Sequence, residues 1–140
     1  MDWITEQIAI GNHLEAHDAD VLRSHAFRSV LSLDGSLSSR RAAEFGLDEI
    51  VAFKLIDGAG NDPRHYENAV DALVRLSQKK PPVLVHCHAG RSRSVIVVAG
   101  YLVLSQSLAS EDALAYVAAR REISLSDGLR PLLDRLRTVP

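Results

Sequence analysis

The string VLVHCHAGRSRS, residues 83–94, constrains the fold of this chain more than any other stretch. Apolar residues of buried-strand type lead straight to a thiol, Cys87. An arginine, Arg93, closes a short loop, and a continuous apolar segment follows it. A short loop between a strand and a helix can turn its backbone N–H groups inward, and the helix N-terminus adds partial positive charge. The result is an anion cradle. Gly90 permits backbone geometry that a side chain would block, and Arg93 offers a planar fork of donors suited to two phosphate oxygens. The same field acts on Cys87, which is expected to be held as a thiolate, the nucleophile that phosphoryl transfer needs. Ser94 is placed to donate to that sulfur and to help it leave. A lone cysteine behind an apolar strand ordinarily packs in a core. The offsets among Cys87, Gly90, Arg93 and Ser94 favour chemistry instead, with His88, Ala89, Gly90, Arg91, Ser92 and Arg93 forming the phosphate-binding surface.

Around this loop the chain alternates between strand and helix patterns. Residues 4–10, 29–33, 50–56 and 83–86 read as strands. Residues 13–24, 39–45, 62–79, 92–105, 110–121 and 127–137 read as helices. Asp62-Pro63 is a helix start, with Asp62 as N-cap and proline in the first turn. Ser110 is expected to cap the helix that follows it, and Pro131 falls in the first turn of the last one. Strands alternating with helices predict one α/β domain over residues 1–140, with a largely parallel sheet of four or five strands flanked by helices.

Composition narrows the partners. With 46% hydrophobic and 24% charged residues and a formal net charge of −2, the chain does not resemble a nucleic-acid coat or a polybasic membrane anchor. Its single cysteine cannot form an internal disulfide or a cysteine-rich metal site, so a reducing cytoplasm fits best. Residues 1–12 lack the charge-then-apolar order of a signal peptide. The most apolar stretch, residues 95–104, is about half the length of a membrane span. The expectation is a monomeric cytoplasmic protein that needs no cofactor and acts on a phosphorylated protein or another phosphate ester.

The pattern H-C-x-x-G-x-x-R-S, carried by His86, Cys87, Gly90, Arg93 and Ser94, resembles the signature of the cysteine-dependent protein tyrosine phosphatases. The A-G-x-S-R-S version, residues 89–94, is similar to that of the small dual-specificity branch. The likeness extends along most of the chain. Ile8-Ala9-Ile10-Gly11-Asn12 resembles that branch's opening L-Y-L-G-N strand, residues 29–33 its V-L-N-L strand, and Arg121-Glu122-Ile123 with Asp127-Gly128 its closing R-x-I…D-G-F segment. Leu125-Ser126 stands where the family usually has Pro-Asn, and Leu129 where it has Phe. The resemblance implies a phosphocysteine mechanism on phosphotyrosine, with some phosphoserine or phosphothreonine.

Hydrolysis also needs a proton for the leaving oxygen. Asp57 follows a strand and precedes a glycine-rich turn. Catalytic groups of α/β sheets gather at such carboxyl ends, and the resemblance places the family's acid there. Asp62 is the second candidate, although its reading as an N-cap is simpler. His86 is expected to order the loop. His88 and Arg91 occupy positions that are also cationic in lipid-phosphate members of the superfamily, which keeps a phosphoinositide or other polyphosphate open as substrate. His13 and His17, at i and i+4, read as a surface pair, and Arg120, Arg121, Arg130, Arg135 and Arg137 as a solvated basic face. A phosphate-binding module without turnover and a sulfur-transfer or arsenate-reducing enzyme are the alternatives from other classes.

Overall fold

The computed structural model describes residues 1–136. Five strands form one sheet: β1 (Asp2–Trp3), β2 (Ile8–Gly11), β3 (Ser29–Ser32), β4 (Glu49–Ala52) and β5 (Val83–His86). Their order is β1-β2-β5-β3-β4, with only the β1–β2 pair antiparallel. The central strand β5 lies between β2 and β3 with its last residue, His86, level with both Gly11 and Ser32. Three parallel strands therefore end in one plane, immediately below Cys87.

Alternation along these strands divides the interior in two. Ile8, Ile10, Leu31, Val83 and Val85 pack into a core with α3 (Pro63–Lys79), α4 (Arg93–Gln106), α5 (Ser110–Ala118) and α6 (Arg130–Asp134). Ala9, Val30 and Leu84 point to the other face, under α1 (His13–Ala16), α2 (Ala19–Ser24) and a 3-10 turn at Ala42–Phe45. Helix α4 is buried nearly all round, as its uninterrupted Val/Ile/Leu run requires. It lies close to α3: a Cβ on Gly100 would come within 2.6 Å of the Tyr66 hydroxyl, which donates to the Ile96 carbonyl at 2.7 Å.

Several elements are shorter than the sequence predicts, each for a local reason. The strand expected over residues 4–10 is a hairpin, because the Thr5 hydroxyl accepts from the amides of Gln7 and Ile8 and turns the chain. The helix expected over 13–24 is two, because Asp18 caps a new start by accepting from the amides of Asp20 and Val21. Asn12 and Glu15 form a capping box at the first. The helix expected at 39–45 is a 3-10 turn ended by Gly46 in the left-handed region. The strand expected over 50–56 ends at Ala52, with a bridge from Asp34 to Lys54 beyond it. Ser110 does not cap α5: Ala109 takes the cap position, and no side chain bonds there. That helix stops at Ala118, short of residue 121. The last helix spans Arg130–Asp134 with Pro131 in its first turn; Arg137, expected at its end, lies outside the described residues. No described helix is long and apolar enough to cross a membrane.

Candidate active site

Strand β5 delivers Cys87 to the carboxyl edge of the sheet, and α4 begins six residues later at Arg93. The Cys87 sulfur lies 3.3 Å from the Ser94 hydroxyl and 3.5 Å from the Ser94 amide. The amide of Ser94, in the first turn of α4, donates to the sulfur, and its hydroxyl shares a hydrogen bond with it. The residue is only 2% exposed, yet it lines a cavity of about 290 Å³. Cys87 therefore lies where the floor of that opening meets the buried core. His88, Ala89, Arg91, Ser92 and Arg93 supply one side of that cavity, and Asp57, Ser124 and Ser126 the other. A larger depression of about 500 Å³, lined by residues 3–6 and Tyr116, holds no nucleophile and no cation.

Arg93 donates from Nη1 to the Leu55 carbonyl at 3.3 Å, while its buried Nε has no partner among the described residues. A buried donor on a cation is costly to leave unpaired, and an anion in the cavity would satisfy it. Ser94 lies beneath the cavity on the sulfur and is fully buried. Gly90 does not line the cavity. It has φ +73°, and a Cβ there would press on the Gly11 carbonyl and come within 2.7 Å of Arg121. Gly90 therefore shapes the back of the loop.

The brace behind the loop is Arg121. Its side chain is 10% exposed and donates to the carbonyls of Gly90, Ala89 and Ile10 and to the Asp2 carboxylate. The solvated basic face expected of the C-terminal arginines does not include it. Loop carbonyls turned out onto a guanidinium leave the facing amides free to turn in. The only sequence signal for this was the R-E-I segment, since arginine content alone does not show which way a side chain turns.

His13 and His17 are not a detached surface pair. The His13 ring stacks on His88 with centroids 4.1 Å apart, and its Nδ1 is 3.0 Å from the His88 carbonyl. The His17 Nδ1 is 2.6 Å from the His13 carbonyl, and its ring meets His86 edge-on. His86 is fully buried, with Nδ1 2.9 Å from the Cys87 carbonyl. Burial pushes its pKa down, and the charges of His17 and His13 add to that, against the hydrogen bond to Cys87 and the Asp34 carboxylate. Among the described residues no group of three or more His, Cys, Asp or Glu is placed to hold a metal. Arg91 is half exposed, with Nη2 3.7 Å from the Glu122 carboxylate.

Asp57 lies in the turn beyond β4 rather than at the strand's last residue. Asn61 holds that turn. Its side chain accepts from the Ile56 amide at 2.8 Å and donates to the carbonyls of Ile56 (2.8 Å) and Gly58 (3.2 Å). The turn also meets the C-terminal segment closely: a Cβ on Gly128, at φ +93°, would be 2.6 Å from Ala59. Asp57 Oδ1 accepts from the Ser126 hydroxyl at 2.7 Å. Burial raises the Asp57 pKa, but the hydroxyls of Ser126 and Ser92 and the charge of Arg93 outweigh it and hold the carboxyl below its ordinary range. Asp62 faces its own helix and accepts from the Arg64 amide at 2.9 Å, as an N-cap does.

Residues 11–135 match the family model described as the catalytic domain of dual specificity phosphatases. Human dual specificity protein phosphatase 22 is 30% identical over 121 residues, covering 86% of this chain and 64% of that protein. Dual specificity protein phosphatase 1 of Arabidopsis thaliana is 26% identical over 121 residues, covering 86% of this chain and 60% of the relative. The chain thus spans about three fifths of the length of such relatives. Among solved structures, human DUSP28 superposes with a TM-score of 0.80 at 18% identity, covering 97% of this chain and 94% of that one, a likeness of fold.

Proposed function

This chain belongs to the dual-specificity phosphatase catalytic-domain family, and from that premise we propose that it hydrolyses phosphate monoesters of proteins, phosphotyrosine foremost and phosphoserine or phosphothreonine besides. The observation that carries the reading is the Cys87 sulfur at the floor of the cavity, bonded by Ser94 and overlooked by Arg93 with an unpartnered Nε.

In this reading Cys87 attacks phosphorus as the thiolate and forms a sulfur–phosphorus bond while the ester oxygen departs. Loop amides and Arg93 stabilise the charge spread over the equatorial oxygens. Asp57 gives its proton to the leaving oxygen, then takes one from the water that displaces phosphate from sulfur. Sulfur leaves as a thiolate, helped by the Ser94 hydroxyl. Asp57 is held below its usual range. A bound phosphate dianion beside it favours the neutral acid by like-charge repulsion, so substrate itself helps to load the proton. A lone catalytic thiol needs reducing surroundings, which the cytoplasm supplies, and the domain is taken to act as a monomer.

A polyphosphate substrate would draw on His88 and Arg91. Glu122 lies close enough to offset the Arg91 charge, which favours the single phosphate of a protein substrate.

The test is turnover of p-nitrophenyl phosphate and of phosphotyrosine, phosphoserine and inositol-lipid substrates by wild type, Cys87→Ser and Asp57→Asn. Wild type is expected to turn over the aryl ester, with Cys87→Ser reduced to background and Asp57→Asn lowered by roughly 10²–10⁴-fold on phosphoserine, whose poor leaving group needs the acid. Full activity in Cys87→Ser would overturn the mechanism. An inactive wild type that still binds phosphate would point to a binding module. Activity with thiosulfate and cyanide would point to sulfur transfer.

A further inference from the structure

Two serine hydroxyls join the phosphate loop to the acid-bearing turn. Ser92, in the loop, donates from Oγ to Ser126 Oγ at 3.2 Å and accepts from the Ser126 amide at 3.0 Å. Ser126 then donates from Oγ to Asp57 Oδ1 at 2.7 Å. Ser126 gives its one hydroxyl proton to Asp57, and Ser92, whose hydroxyl also lowers the Asp57 pKa, lies behind it against Ser126.

We propose that Ser126 is a positioning residue for Asp57, fixing the carboxyl beside the cavity and selecting which of its oxygens carries the transferable proton. This rests on the reading of Asp57 as the general acid. Oδ1 is committed as acceptor of the Ser126 hydroxyl, which leaves Oδ2 as the less engaged oxygen of the carboxyl. Protonation therefore falls on Oδ2, the oxygen free to meet a leaving group. Ser126 stands where the resemblance leads one to expect asparagine, whose amide could also donate. A hydroxyl does so while accepting from Ser92, which makes the link to the loop continuous.

The charged and titratable groups around Asp57 are few. Arg93 of α4 lines the same cavity, as do Cys87, His88 and Arg91 of the loop, and Asp127 follows Ser126. Arg93 lowers the Asp57 pKa together with the two hydroxyls, against the upward push of burial. Removing the Ser126 hydroxyl deletes a donor to the ionised carboxylate, so the carboxyl titrates higher, by about one pH unit.

The test is Ser126→Ala beside Ser126→Asn. The Asp57 carboxyl is followed by carbon-13 NMR titration, and kcat/KM is measured against pH on a phosphate ester with a poor leaving group and corrected for the substrate's own ionisation. Asp57 must be protonated to act, so kcat/KM falls as pH rises through its free-enzyme pKa. In Ser126→Ala the NMR midpoint and this falling limb both move up by about one unit, while the plateau drops because the acid is less well placed. Ser126→Asn, which keeps a donor, restores the wild-type midpoint. With Asp57→Asn in place, Ser126→Ala has no further effect on kcat/KM. An unmoved Asp57 titration in folded Ser126→Ala, or an equal rate loss with and without Asp57, overturns the proposal. The NMR arm needs no turnover, so an inactive wild type would sink the phosphatase reading while leaving this titration readable.

Discussion

The Arg121 guanidinium donates to the carbonyl of Gly90, tying the far side of the phosphate loop to the segment after α5. The same side chain holds Ala89, Ile10 and Asp2. Arg121→Ala releases three carbonyls and one carboxylate at once. The expected result is a stability loss of about 2 kcal/mol, seen as a lower unfolding midpoint, and a clear fall in affinity for inorganic phosphate. Arg121→Lys should rescue little, because an ammonium cannot reproduce the fork. A variant with unchanged phosphate affinity would show that the loop holds its shape unaided.

Asn61 bonds the acid-bearing turn at Ile56 and Gly58. In Asn61→Ala the turn loses these ties, among them the one to the peptide group whose carbonyl accepts from Arg93, while the sulfur and its Ser94 contacts are untouched. Expected is a drop in kcat of roughly tenfold or more on esters with poor leaving groups, which depend most on the acid. Esters with good leaving groups should change little. Equal losses on both would mean that Asn61 supports the whole site.

His86 is buried, and burial depresses its pKa below the ordinary 6.5. The unfolded chain then binds a proton that the folded one refuses. Stability from this group is present above pH 6.5 and is lost as pH falls toward the folded-state value, by up to about 1.4 kcal/mol per pH unit. Denaturant unfolding of wild type and His86→Asn at pH 7.5 and pH 5.5 tests this. The wild type should lose more stability than the variant over that interval, and parallel losses would rule it out.

Cys87 is the only cysteine, with no disulfide partner within the chain. Dilute peroxide is expected to inactivate the enzyme by forming a sulfenic acid, which can then lose water by bonding to the adjacent backbone nitrogen. Dithiothreitol should restore activity, and inorganic phosphate in the cavity should slow the loss. Activity untouched by peroxide would argue that the sulfur is not a reactive thiolate.

Much of this arrangement is legible in the sequence because it is local. The strand from Val83, the thiol, the glycine and the arginine lie within a dozen residues, and their order alone implies an anion loop. Long helices such as Pro63–Lys79 announce themselves by period and cap. What escaped the sequence depends on distant partners. Arg121 reaches Ile10 and Asp2, and Ser126 reaches Asp57. Beyond the R-E-I segment at Arg121, nothing near those residues distinguishes a bracing arginine from a solvated one, or a linking serine from a loop serine. The short breaks at Thr5 and Asp18 were missed for the opposite reason: one hydroxyl or carboxylate suffices to turn a backbone whose apolar pattern continues through it.

Because β2, β5 and β3 end level at Gly11, His86 and Ser32, Cys87 stands on a ledge anchored by ladder pairing on both sides. Asp57 stands on a tether of side-chain amide and hydroxyl bonds. Solvent deuterium should therefore reach the amides of residues 56–60 long before those of 83–86. Under the proposed mechanism, the half of the site that grips phosphate is expected to keep its shape between turnovers, and the half that hands over the proton to yield as product departs.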